Sequence, residues 1–137
     1  MVDVLTPEQR RHNMSRIRGR HTKPELIVRK MLHGMGYRYR LHVRDLPGTP
    51  DIVFPGRRKV IFVHGCFWHG HSECRFAAKP STRAEFWRAK IGAAQSRDAL
   101  AREALTRDGW DTLVIWECEL RQDVLLVRLR SFLDNSS

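Results

Sequence analysis

Apolar residues in this 137-residue chain come in short bursts between basic stretches, and each burst has its own period. Thr22-Lys23-Pro24-Glu25 opens a helix with a hydroxyl cap, an early proline and capping-box spacing. Leu26, Ile27, Met31 and Leu32 then give one apolar face, which Gly34 and Gly36 end. Tyr37, Tyr39, Leu41 and Val43 alternate with Arg and His, the period of a half-buried strand. After a Pro/Gly loop at 46–50, residues 51–54 and 59–63 read as a hairpin across the turn Pro55-Gly56-Arg57-Arg58. A long helix starts at Ser81-Thr82-Arg83-Ala84-Glu85, with Thr82 and Glu85 in capping-box spacing, and runs to about Arg107 before Gly109. Residues 111–117, DTLVIWE, form a strongly apolar strand expected at the centre of a sheet. Val124, Leu125, Val127, Leu129, Phe132 and Leu133 mark a last amphipathic helix over 122–133. The order αββ(β)αβα predicts an α/β domain: a mixed sheet flanked by helices.

The N-terminal stretch breaks this pattern. Thr6-Pro7-Glu8-Gln9 has a helix-start signature, but the RRHNMSRIRGRH that follows has almost nothing apolar to bury. Residues 1–21 are therefore expected to be a basic arm that gains order on a partner, ahead of one domain over 22–134. The final DNSS reads as a frayed tail. Net charge is +10, with 25 Lys+Arg against 15 Asp+Glu, which favours a polyanionic partner such as nucleic acid. No apolar run approaches the roughly 20 residues of a membrane helix, and no signal-peptide core is present, so the expected location is the cytoplasm.

Candidate chemistry concentrates in VIFVHGCFWHGHSEC, residues 60–74. Cys66, His71 and Cys74 are spaced C-x4-H-x2-C, and the third cysteine, Cys118, directly follows the apolar strand. Together they compose a Cys3His set, the closed tetrahedral pattern of structural Zn2+. Cys118 taken alone reads equally as a small buried hydrophobe. Hairpin pairing brings Asp51 and His64 to one sheet edge, where a carboxylate beside a main-chain carbonyl suits Mg2+. Asp51 can also be read as a turn cap after Pro50. Phe67 and Trp68 stand between Cys66 and His69; they are either core residues or apolar wedges for a deformed base step.

The strings PGTPDIVF, VIFVHGCFWHGH, TRAEFWRAKI and GWDTLVIWECEL resemble the very-short-patch repair (Vsr) mismatch endonucleases, from Asn13-Met14 to Arg121. The resemblance implies a restriction-endonuclease-like core, with Phe62-Val63-His64 where Glu-x-Lys usually stands. It implies Mg2+-dependent nicking of duplex DNA 5′ to the thymine of a T·G mispair, the lesion left by deaminated 5-methylcytosine. Asp51 and the main-chain carbonyl of Val63 would hold Mg2+, although the family has Thr at that second position. His69 would be the general base, Asp98 would orient it, and His64 would contact the scissile phosphate or its metal-bound waters. Glu25 would act from further out, although the helix cap already explains it; Asp98 likewise has an alternative as an exposed partner of Arg102.

The same resemblance implies that Phe67 and Trp68 intercalate beside the mispair while Met14 wedges from the other side. Arg16, Arg18 and Arg20 would neutralise phosphates, and Lys90 would reach the mispair. Ala94 stands where the family has a base-reading Asn, which leaves the flanking-sequence preference open. The zinc loop is one residue longer than the family version, and Cys118 is offset to match. Partners would be T·G duplex DNA and potentially mismatch-repair proteins, with a monomer acting at the nucleoid. Two other readings remain: a zinc-stabilised DNA-binding module without cleavage, and a related nuclease acting on matched duplex.

Overall fold

The computed structural model describes residues 22–72, 74 and 82–134. The elements are α1 (Lys23–Gly34), β1 (Arg40–Leu41), β2 (Ile52–Phe54), β3 (Lys59–His64), α2 (Ala84–Arg107), β4 (Asp111–Trp116) and α3 (Gln122–Asp134). One-turn 3-10 helices follow β2 (Pro55–Arg57) and β4 (Glu117–Glu119). The sheet order is β1-β2-β3-β4, antiparallel for the first two pairs and parallel for β3 and β4. A parallel pair needs a crossover connection, and the 24-residue α2 supplies it. The result is a mixed α/β domain.

Strand alternation divides the core into two layers. Ile52, Phe54, Ile61 and Ile115 face Val28 and Leu32 of α1 and Leu125, Leu129 and Leu133 of α3. Val53, Val60 and Phe62 face the other way and pack against Leu105 of α2. Each fully buried aliphatic side chain contributes about 2 kcal/mol, so the α1/α3 layer carries most of the burial. The second layer gains a brace where the 46–50 loop touches α2. A Cβ on Gly48 (φ +75°) would lie 2.7 Å from that of Ala101.

Several expectations need correction. The DTLVIWE segment is an edge strand among the described residues, not a central one. Its apolar run reflects helices on both faces, with Ile115 in one layer and Val114 against the other. The strand expected over 37–43 shrinks to Arg40–Leu41, because Tyr37 and Tyr39 pack edge-on against Phe54 and His42 turns left-handed (φ +47°). In α1 the inward row is Glu25, Val28 and Leu32, leaving Leu26 exposed. In α3 it is Leu125, Leu129 and Leu133, so Val124 and Val127 face solvent. Thr82 does not cap α2: Arg83 is the N-cap, left-handed and without a side-chain capping bond, its guanidinium 4.3 Å from the Phe86 ring. The 1–21 arm, with Met14, Arg16, Arg18 and Arg20, lies outside the described residues.

Candidate functional site

Parallel pairing sets His64 opposite Trp116, so the turn leaving β3 and the turn leaving β4 lie side by side. This places Cys66, His71, Cys74 and Cys118 together, with one donor atom from each within 4.8 Å of all the others. The turn is tied internally by His71 N–H to the Cys66 carbonyl (2.9 Å) and His69 N–H to the Gly65 carbonyl (3.2 Å). Glu117 holds it from the 3-10 turn after β4, its Oε1 accepting from Cys66 N–H at 3.0 Å. The His71 ring stacks on Trp116 at 4.0 Å, and its Nδ1 lies 3.4 Å from Cys118 Sγ.

Burial pushes the Cys66 thiol up to about 12, and burial likewise raises Cys118. Crowded thiols that resist ionisation become thiolates readily when a cation binds among them. Three sulfurs and one imidazole suit a borderline-soft, four-coordinate ion and leave no open position. The donor set therefore fits structural zinc.

Gly70 explains how this turn reaches α2. At φ +60°, a Cβ there would lie 2.5 Å from Ile91 Cγ2 and 2.6 Å from Gln95 Nε2. Gln95 donates to the Gly70 carbonyl at 3.1 Å. The close approach brings His69 against the same helix, where its Nδ1 lies 2.5 Å from Asp98 Oδ2. Nδ1–H donating to the carboxylate leaves Nε2 with its lone pair. The His69 ring stacks on His64, centroids 3.8 Å apart and planes within 2°.

Burial, reinforced by neighbouring His69, lowers the pKa of His64 to about 4, so this imidazole stays neutral at pH 7. Its Nδ1 is buried and has no hydrogen-bond partner among the described residues. Such an orphan costs about 1–3 kcal/mol, a cost natural folds tolerate chiefly at working sites. His64, His69, Asp98, Gln95 and Arg102 line an open cavity of about 340 Å³. The carboxylate of Asp98 is thus given to His69, while Arg102 bonds only its main-chain oxygen, at 3.4 Å.

Asp51 lies in a second donor cluster, with Glu25 and His42. Its Oδ2 accepts from Val63 N–H at 2.7 Å, which fixes it beside the main chain just before His64. Burial raises the Asp51 pKa to about 7, with Glu25 and Asp98 adding to the rise and the Val63 N–H opposing it. A carboxyl destabilised in this way would be relieved by a cation, and the oxygen donors suit a hard one. Glu25 serves two purposes. Its N–H caps on Thr22 Oγ1 (3.3 Å), while its carboxylate, 1% exposed as a residue, turns to His42 and Arg29.

Phe67 and Trp68 are neither core nor isolated. They contact each other at 5.1 Å, and both rings meet Trp87 near the start of α2, at 5.2 and 5.7 Å. Half-exposed Phe86 joins Trp87 edge-on, and Lys90 Nζ lies 5.7 and 6.0 Å from those two rings. Sequence reasoning assigned no role to Trp87, His42, Gly70 or Glu117. For Trp87 a signal existed, since the Phe-Trp doublet occurs twice, at 67–68 and at 86–87. The others depend on long-range contacts that leave no local pattern.

Comparison with known proteins was consistent across scales. Residues 2–75 match the family model described as DNA mismatch endonuclease Vsr. The type II nicking enzyme V.XorIIP of Xanthomonas oryzae pv. oryzae is 53% identical over 137 residues, spanning 99% of this chain and 100% of that one. The DNA mismatch endonuclease Vsr of Escherichia coli is 43% identical over 121 residues, 88% of this chain and 77% of that protein. The type II nicking enzyme V.NmeAIP of Neisseria meningitidis is 39% identical over 125 residues, with 91% and 89% covered.

Proposed function

The chain belongs to the Vsr family of DNA mismatch endonucleases, and from that premise we propose that it nicks duplex DNA 5′ to the thymine of a T·G mispair, with Mg2+ as cofactor and Zn2+ as a structural ion. It is an endodeoxyribonuclease; the mispair, the metals and the residue roles are our reading. The observation that carries it is the His69–Asp98 pair beside His64 at the mouth of the cavity. Asp98 fixes the tautomer, so His69 Nε2 is the nitrogen able to take a proton from an attacking water. That water's oxygen forms the new bond to phosphorus, the bond to the leaving nucleoside oxygen breaks, and that oxygen takes a proton from solvent. Neutral His64 serves the phosphate as a hydrogen-bond donor rather than as a cation.

Asp51 and the Val63 carbonyl would hold Mg2+, with Glu25 close by, in a restriction-endonuclease-like core carrying Phe62-Val63-His64 along β3. Magnesium there would neutralise phosphodiester charge. Phe67 and Trp68, joined by Trp87, offer flat faces for a base step that a mispair makes cheap to open, and Lys90 brings charge to the same edge. Met14, Arg16, Arg18 and Arg20 would complete the grip from the arm. The test is nicking, in Mg2+, of duplexes carrying T·G, other mispairs or none, in varied flanks, with Asp51→Ala alongside. Strand-specific nicks confined to T·G and lost in Asp51→Ala are expected. Equal cleavage of matched duplex would replace this reading by an ordinary nuclease, and binding without cleavage by a DNA-binding module.

A further inference from the structure

His42 has no part in the reaction as proposed, yet the structure holds it under strain. It is a non-glycine residue in the left-handed region, φ +47°. That conformation costs about 1–2 kcal/mol and persists only where the surroundings over-determine it. Both ends of the residue are engaged. Its main-chain N–H donates to the Asp51 carbonyl at 3.1 Å, one step beyond the Leu41–Ile52 pair. Its ring Nε2 stands 2.9 Å from Glu25 Oε1 and 3.9 Å from Asp51 Oδ1. The ring is largely covered, at 10% exposure, and the Glu25 side chain is at 2%.

We infer that His42 is a positioning residue: by holding the Glu25 carboxylate with its ring and the Asp51 main chain with its N–H, it sets how the two carboxylates face a divalent cation. This rests on the reading of Asp51 as part of the hydrolytic centre. An ionised carboxylate only accepts, so His42 Nε2 carries the proton and donates to Oε1. Arg29, 3.3 Å away, takes Oε2, so each oxygen of Glu25 has its own donor and the plane of the carboxylate is fixed. Asp51 is fixed from two directions, its carbonyl by His42 N–H and its Oδ2 by Val63 N–H at 2.7 Å. The strained backbone has a purpose in this arrangement. An extended residue at position 42 would continue β1 and its face-to-face alternation, whereas at the left-handed turn one residue grips both carboxylate-bearing segments.

Removing a partner that orients a metal ligand typically weakens metal affinity about 10- to 100-fold. The test compares His42→Ala, His42→Gln and wild type by two readouts. One is nicking rate against Mg2+ concentration, and the other is a Mn2+ binding isotherm on DNA-free protein, read from the EPR signal of free Mn2+. His42→Ala should raise both the half-saturating Mg2+ and the Mn2+ dissociation constant by about tenfold or more, with metal-free binding to T·G duplex unchanged. His42→Gln, whose amide can donate to Glu25, should recover most of that loss. Should His42→Ala not fold, His42→Asn replaces it, since Asn tolerates the left-handed region but is too short to reach Glu25. Metal dependence equal to wild type in the Ala or Asn variant overturns the inference, as does an impaired variant that Gln does not improve. If wild type fails to nick in Mg2+, the reading of the site fails; the Mn2+ isotherm needs no turnover and still decides the role of His42.

Discussion

Replacing Asp51 with Asn should stabilise the metal-free protein while abolishing nicking. The cause is the cost of keeping an ionised carboxylate at this position, where its side chain is 15% exposed. Burial first, then the charges of Glu25 and Asp98, raise its pKa from the usual 3.8 to about 7, against the pull of the Val63 N–H. That is roughly three pH units at about 1.4 kcal/mol each, a ceiling of about 4 kcal/mol. The sign follows from proton linkage. Below pH 3.8 the carboxyl is protonated in both folded and unfolded chains and costs nothing. Between pH 3.8 and about 7 the folded chain holds the extra proton, so stability falls as pH rises, and above pH 7 the full cost applies.

Asparagine keeps an oxygen for the Val63 N–H and carries no charge. Local relaxation and water entry reduce the ceiling, so the expected gain at pH 8 is about 2 kcal/mol, or a melting temperature higher by about 5–8 °C. At pH 5 only about a third of that gain should remain, because most of the linkage interval lies above it. The assay is thermal and urea unfolding of both proteins at the two pH values. It is done in Mg2+-free buffer without chelator, which would strip the cysteine site. Added Mg2+ should then stabilise wild type and leave the variant unmoved. A variant less stable than wild type at pH 8, or a gain equal at both pH values, would refute the reasoning.

Three further outcomes are expected. Trp87→Ala, like Phe67→Ala and Trp68→Ala, should weaken binding to T·G duplex by about 1–3 kcal/mol, the worth of a base–aromatic stack, and matched duplex less; equal losses in fluorescence-anisotropy titrations would make the cluster purely structural. Metal analysis of purified protein should give about one zinc per chain, and chelation should lower the melting temperature and free reactive thiols; a folded, metal-free protein with the same melting temperature would contradict the Cys66/His71/Cys74/Cys118 site. Gly70→Ala should cost about 1–3 kcal/mol and slow nicking, because its Cβ would lie 2.5 Å from Ile91 Cγ2 at a left-handed φ; wild-type stability and rate in that variant would show that the turn does not need its contact with α2.

Sequence reading located elements by period and donor clusters by residue type, and it erred where tertiary contacts override local pattern. The order of helices and strands was legible because caps, glycines and alternation are local signals. The Cys3His grouping was legible because three donors fall within nine residues after one strand and the third cysteine follows closely on another. The apolar run of residues 111–117 suggested a central strand, but such a run records coverage of both faces, and helices give that to an edge strand too. Glu25 reads as a cap in sequence because Thr22 lies three residues before it. Only the fold shows that its main chain satisfies the cap while its carboxylate is used elsewhere. His42 was invisible for a related reason: alternation counts it as one polar position of a strand, whereas its backbone leaves the strand there.

The stripe that α2 presents to the β3–α2 turn explains why so weakly amphipathic a helix is so long. Trp87, Ile91, Gln95, Asp98 and Arg102 follow one another at intervals of three or four residues, which keeps them on one side of the helix. In that order they meet the Phe67 and Trp68 rings, the Gly70 turn, His69 and the rim of the cavity. Only Ile91 and Leu105 of this helix are buried, so core packing alone does not account for its 24 residues. Its length is instead what lets one rigid element brace both the ring cluster and the His69–Asp98 pair. Trp87 and Asp98, eleven residues apart, are separated by about 16 Å of helix. The Cys3His cluster draws on the same turn through Cys66 and His71. Phe67, Trp68 and His69 are consecutive residues of that turn, so a shift of the rings is expected to reach His69. On the proposed reading, deformation of a base step at the rings would be coupled to the alignment of His69 at the phosphate, and hydrolysis would become conditional on a mispair.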